Sequence, residues 1–106
     1  MSDYGGSNTP AEQRDLWRTP PAIFAALDAE FFFQLDAAAS AQNALCRRFI
    51  TEDQNTLETD WSSLIPGLPG YVWMNPPYSN VGPFVAKAAA ENEKHNIGCV
   101  MLLNAD

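Results

Sequence analysis

The residues best equipped for chemistry are four in a row, Asn75-Pro76-Pro77-Tyr78. A nitrogen conjugated to an aromatic ring is a poor nucleophile, because its lone pair is delocalised into the ring. Two hydrogen-bond acceptors aimed at its two N–H groups draw it toward a tetrahedral shape and localise that pair. Asn75 offers a side-chain oxygen. Pro76 offers a backbone carbonyl, held stiffly by its own ring and by the proline after it. The ring of Tyr78 can lie on the face of an extruded base, a contact worth ~1–3 kcal/mol. A base inside a duplex cannot reach such a loop, so it must be flipped out, and stacking on Tyr78 offsets part of that cost. Asn-Pro is also an ordinary way to open a turn. The position of the tetrapeptide in the fold therefore decides its meaning.

That position follows from the neighbouring elements. Tyr71-Val72-Trp73-Met74 is apolar and β-prone, as a strand covered on both faces would be, and two prolines then end any sheet ladder. The breaker cluster Pro66-Gly67-Leu68-Pro69-Gly70 precedes it. After it, Gly82-Pro83 opens a helix with Phe84, Val85, Ala88 and Ala89 on one side and Lys87, Glu91 and Lys94 outside. Lys94-His95-Asn96 marks the helix end with positive charge and an asparagine tolerant of left-handed backbone. His95 has only a helix-end role there. Ile97 to Leu103 reads as another buried strand.

Upstream, Thr19 as N-cap and Pro20-Pro21 in the first turn introduce Ile23, Phe24, Leu27 and Phe31 at helical spacing, predicting a helix over 20–30. Phe31-Phe32-Phe33-Gln34-Leu35 predicts a strand ending at Asp36. The small residues Ala37-Ala38-Ala39-Ser40 follow it and let a ligand approach the backbone. Periodicity is poor from Gln42 to Trp61; Arg47 to Thr51 is read as a short strand and Glu52 to Asn55 as a polar turn. Trp61 and Trp73 read as packing residues.

Alternating strands and helices imply an α/β fold with a mostly parallel sheet and ligands at the carboxyl ends of its strands, where Asp36 and Asn75 would both stand. Residues 1–13 read as a flexible tail and 14–106 as one domain. The chain ends just after its last strand, so the expected sheet is incomplete at the C-terminus, with an edge that invites self-association. Neither a membrane span nor a signal peptide is visible, which gives a cytoplasmic expectation. Cys46 and Cys99 lie too far apart, without histidine clusters, to suggest a metal or a disulfide framework, and read as reduced, packed thiols. A net charge of −7 argues against broad phosphate binding, although Arg14, Arg18, Arg47 and Arg48 form two local basic clusters.

Trp17-Arg18-Thr19-Pro20, Leu35-Asp36-Ala37-Ala38-Ala39-Ser40 and Val72-Trp73-Met74-Asn75-Pro76-Pro77-Tyr78-Ser79 together carry a resemblance. From about Asp15 to Asp106 the chain resembles the phage-type DNA N-6-adenine methyltransferases. That resemblance implies a Rossmann-like fold dependent on S-adenosylmethionine (AdoMet), no metal, and a flipped adenine of bacterial or phage DNA as substrate. Family members usually continue for several dozen residues more. Asn75, Pro76, Pro77 and Tyr78 become the catalytic loop. Trp17, Thr19, Pro20, Asp36, Ala38 and Asp53 become the cofactor-binding set, with Asp36 toward the methionine amino group and Asp53 toward the ribose or adenine. The Gly-rich turn usual in AdoMet enzymes is replaced here by alanines. Plain structural roles stand beside these: Thr19-Pro20 as cap and first turn, Asp36 capping the next turn, and Trp17 as packing.

Two alternatives remain open from the residues. A protein glutamine-N5 methyltransferase would use Asn-Pro-Pro-Tyr by the same acceptor logic, and an inactive prophage remnant would bind AdoMet or a partner without catalysis. The recognition sequence is not legible, since no helix-turn-helix or zinc finger is present.

Overall fold

The computed structural model describes residues 19–65 and 70–103. The N-terminal tail, Arg14, Trp17, Arg18 and the 66–69 part of the breaker cluster lie outside the described residues. Helix α1 spans Pro21–Phe31, strand β1 Phe33–Asp36, strand β2 Tyr71–Met74, helix α2 Gly82–His95 and strand β3 Gly98–Met101. Two short 3-10 helices, η1 (Thr56–Glu58) and η2 (Trp61–Ser63), lie between β1 and β2. The strands form one parallel sheet in the order β1-β2-β3, with Asp36 beside Trp73 and Met74 beside Met101. The α/β expectation is met, and β2 is the central strand. No helix among the described residues is long and apolar enough to cross a membrane.

Alternation along β2 sends Val72 and Met74 to one face of the sheet and Tyr71 and Trp73 to the other. On the first face Val72, Met74 and Leu35 pack in one cluster with Phe84 and Ala88 of α2, with Ile50, Trp61 and Ile97, all of them buried. On the second face Phe24 of α1 meets Trp73 edge-on at 5.4 Å between ring centroids and Phe33 at 5.6 Å, while Phe31 meets Tyr71 at 4.9 Å. Trp61 and Trp73 are thus packing residues, as the sequence suggests.

Several boundaries differ from the sequence reading, each for a local reason. Thr19 is not the N-cap. The residue before a proline is pushed out of the helical region, so Pro20 stays extended (φ −56°, ψ 133°) ahead of Pro21 and itself occupies the cap. Phe31 belongs to α1 and not to β1, because Phe32 turns the chain in left-handed backbone (φ 53°) and donates to the Asp28 carbonyl. The Asp28 side chain then accepts the N–H of Phe33 at 2.9 Å, occupying the first donor of β1. The segment Arg47 to Thr51 makes only a single parallel bridge, Phe49 to Asp36, instead of a strand.

On α2 the buried stripe is Phe84, Ala88 and Glu91, so Glu91 points inward while Val85 and Ala89 are exposed, contrary to the expected sidedness. The helix terminates as anticipated: Asn96 is left-handed (φ 59°) and donates to the Asn92 carbonyl. The stretch of poor periodicity is organised by side chains that cap successive turns, Asn55 at η1 and Asp60 at η2. Within it Trp61 is anchored by its indole N–H donating to Thr56 Oγ1 at 2.7 Å.

Candidate active site

Strands β1 and β2 leave the sheet side by side. Ala37 N–H donates to the Trp73 carbonyl at 2.9 Å and Leu102 N–H to the Met74 carbonyl at 3.0 Å, so the chain beyond Asp36 and beyond Met74 emerges at one edge. Strand neighbours stand about 4.8 Å apart. The loop of alanines and the Asn-Pro-Pro-Tyr loop are therefore adjacent. Pro76 and Pro77 are buried, Asn75 and Tyr78 half-buried, and Asn80 N–H closes the turn on the Pro77 carbonyl. Burial pushes the Tyr78 phenol above its ordinary range, so the ring stays neutral.

Asp36 anchors the neighbouring loop. Its carboxylate accepts the N–H of Leu45 at 3.0 Å and that of Ala38 at 3.4 Å, folding residues 37–45 back over the strand end. It therefore performs the turn-capping role allowed by its sequence position. Desolvation pushes its pKa from 3.8 up to about 7, against the two N–H bonds that favour the ionised form. A carboxyl poised in this way gains most from a cationic partner. Ser40 closes the loop, with its N–H donating to Asn43 Oδ1 at 2.8 Å. The spacing of Asn43 three residues after Ser40 is the signal that would have marked it as an organiser of the loop.

The aromatic contacts fix the direction of α1. Phe31 lies against Tyr71 at the start of β2 and Phe24 against Trp73 near its end, so α1 runs opposite to β2. Thr19, ahead of Phe24, consequently stands at the same sheet edge as Asp36 and Asn75. Its hydroxyl and that of Ser40 are buried without a hydrogen-bond partner among the described residues. A buried, unsatisfied hydroxyl costs about 1–3 kcal/mol, so both atoms are groups that a polar ligand would satisfy. The structure thus brings together Thr19, Asp36, Ala38, Asn75, Pro76, Pro77 and Tyr78. Pro20 sits exposed beside Thr19. Asp53 is exposed in the turn after Ile50, on the far side of β1 from β2. Trp17 lies outside the described residues.

The thiols take no part. Cys46 and Cys99 are free and half-buried, and burial pushes each up to about 12, so both remain protonated.

Comparison with known proteins identifies the family from the sequence. Residues 6–106 match the family described as DNA N-6-adenine-methyltransferase (Dam). The chain is 44% identical over 102 residues to the DNA N-6-adenine-methyltransferase of Haemophilus phage HP1 (strain HP1c1), covering 94% of this chain and 56% of that protein. It is 43% identical over 104 residues to that of Escherichia phage T1, covering 97% of this chain and 41% of the relative. It thus spans about half the length of these phage relatives. A further relative, YfdM of Escherichia coli (strain K12), is 40% identical over 76 residues, 67% of this chain and 84% of its own. No solved structure matches the chain. On the match over residues 6–106 and the two phage relatives at 44% and 43% identity, the chain belongs to the DNA N-6-adenine-methyltransferase family.

Proposed function

We propose that this chain carries the donor- and amine-binding core of an AdoMet-dependent DNA adenine-N6 methyltransferase of phage type, built on a Rossmann-like sheet and acting on DNA in the bacterial cytoplasm. The observation that carries this reading is the adjacency of the Asp36 loop and the Asn75 loop, one strand spacing apart at the edge where parallel α/β sheets bind ligands.

The residues fit the methyl donor. Two buried hydroxyls, Thr19 and Ser40, lack partners among the described residues, Ala37 to Ala39 leave the backbone approachable, and Asp36 gains from a neighbouring cation. Asp36 would take the donor's ammonium group, Thr19 and Ser40 its polar atoms, and Asp53 its ribose from the outer side. When bound, the donor supplies an electrophilic methyl group on a sulfonium. Asn75 and Pro76 act on the other reactant. The Asn75 side-chain oxygen and the Pro76 carbonyl accept the two N6 hydrogens, so that the lone pair points toward the methyl instead of into the ring. Tyr78 holds the flipped base flat, and the buried prolines keep the acceptors from relaxing. One N6 proton leaves after transfer, and no strong base is required to pull it beforehand.

The test is transfer of labelled methyl groups to unmethylated DNA by the chain and by the full-length relative aligned with it. Asn75→Ala removes an acceptor needed chiefly in the transition state, so transfer falls about 100-fold or more while AdoMet binding is retained. Equal loss of AdoMet binding would contradict the assigned role of Asn75.

A further inference from the structure

The end of the molecule away from the carboxyl edge holds a second cluster of reactive side chains. Helix α2 leads from the Asn-Pro-Pro-Tyr loop back to the start of β3, and its last turn carries His95. Glu91 lies one turn earlier on the same helical face. Asp60, the residue that caps η2, packs against them, and one ligand atom from each of the three lies within 4.8 Å of the others. Asp60 Oδ1 and His95 Nε2 are 3.5 Å apart.

Glu91 is the buried member of the cluster. It is 3% exposed, and its Oε2 accepts the Lys87 ammonium at 2.7 Å, but its Oε1 is buried with no partner among the described residues. A helix of this kind normally keeps glutamate on its solvated face. Here the carboxylate is turned inward toward Asp60 and His95 and is left half-used.

We propose that Asp60, Glu91 and His95 bind a divalent transition-metal ion of the zinc class. One imidazole nitrogen and two carboxylate oxygens form a ligand set suited to such ions, with the remaining position open to water. Calcium and magnesium would require more oxygen ligands than the cluster holds. The Asp60 and His95 side chains keep 60% and 33% of their exposure, so an ion enters from solvent. Lys87 competes with it: its ammonium shares the Glu91 carboxylate and lies 5.7 Å from the Trp61 ring centroid. The ion would clamp η2 to the last turn of α2, at the opposite end of that helix from the Asn-Pro-Pro-Tyr loop. Sequence spacing could not announce it, since Asp60 reaches Glu91 and His95 only through the fold.

The experiment titrates Zn2+ and Co2+ into the whole chain by calorimetry and by cobalt absorption, with NMR of the ring of His95, the chain's single histidine. One equivalent is expected to bind, shifting the His95 ring signals and raising Tm in the wild type. His95→Asn and Asp60→Asn, both at accessible positions, remove direct ligands and each weaken binding by about tenfold or more. Lys87→Met removes the rival cation and tightens binding severalfold. Absence of saturable binding, an unmoved His95 signal, or a Lys87→Met chain that binds no tighter than wild type would overturn the proposal.

Discussion

The two faces of β2 are held very differently. On the α2 face, Val72 and Met74 are fully buried, and Phe84 and Ala88 close over them at 2% and 8% exposure. On the α1 face the helix buries no residue completely: Ile23 remains 46% exposed and Tyr71 43%, and the contact is made by aromatic rings. The first face is a close-packed interior in which every methylene counts. The second is a set of aromatic contacts around the buried Trp73, beneath a helix that has no fully buried residue of its own. Because Thr19 opens the chain into α1, the loosely held face is the one that feeds the candidate donor site. Under the proposed function, stability and ligand response therefore fall to opposite sides of one strand.

The largest effect expected from this difference is on the closed face. Phe84→Ala should cost about 3–5 kcal/mol, measured by urea unfolding, since it leaves a void that its neighbours cannot fill. Phe24→Ala, on the open face, should cost only about 1–2 kcal/mol, the worth of its ring pairs plus a half-buried side chain. Equal costs would erase the distinction between the faces.

Asp36 adds a pH dependence at the edge where both faces meet the site. Its carboxyl is raised from 3.8 to about 7 in the folded chain, so the native state holds this proton more tightly than the unfolded one. Its contribution to stability is full below the unfolded value and declines as pH rises toward 7. Tm measured across this range should fall less with pH in Asp36→Asn than in the wild type. The smallest effect expected is dynamic: AdoMet should slow amide hydrogen exchange in α1 more than in α2, because the loosely held helix has more to gain from ordering. Equal protection of the two helices would place the ligand elsewhere.

The parts of this division that could be read from sequence are those with a period or a breaker. Strand β2 and helix α2 are bounded by Pro76-Pro77, Gly82-Pro83 and Asn96, and each acts through backbone restriction at its own position. The two loops at the strand ends were legible for the same reason. The sidedness of α2 was not, because Glu91 takes a core position that its charge disguises. Apart from the polar turn at Glu52 to Asn55, which closes through the Asn55 N–H on the Thr51 carbonyl, the stretch from Gln42 to Trp61 was not legible either. It is built from three-residue turns capped by Asn55 and Asp60 and from Asp36 reaching Leu45, none of which has a periodicity. At the start of α1 the sequence rule for capping was sound but lost to the restriction that Pro21 places on Pro20.

Calorimetric titration of AdoMet into this chain and into Asp36→Ala, each with Ser40→Ala beside it, tests the assignment of the carboxyl edge most directly. One site is expected in the wild type, weakened about tenfold by loss of the charged Asp36 contact and less by Ser40→Ala. Undiminished binding in both variants, or no binding by a folded wild-type chain, would contradict the placement of the donor at this edge.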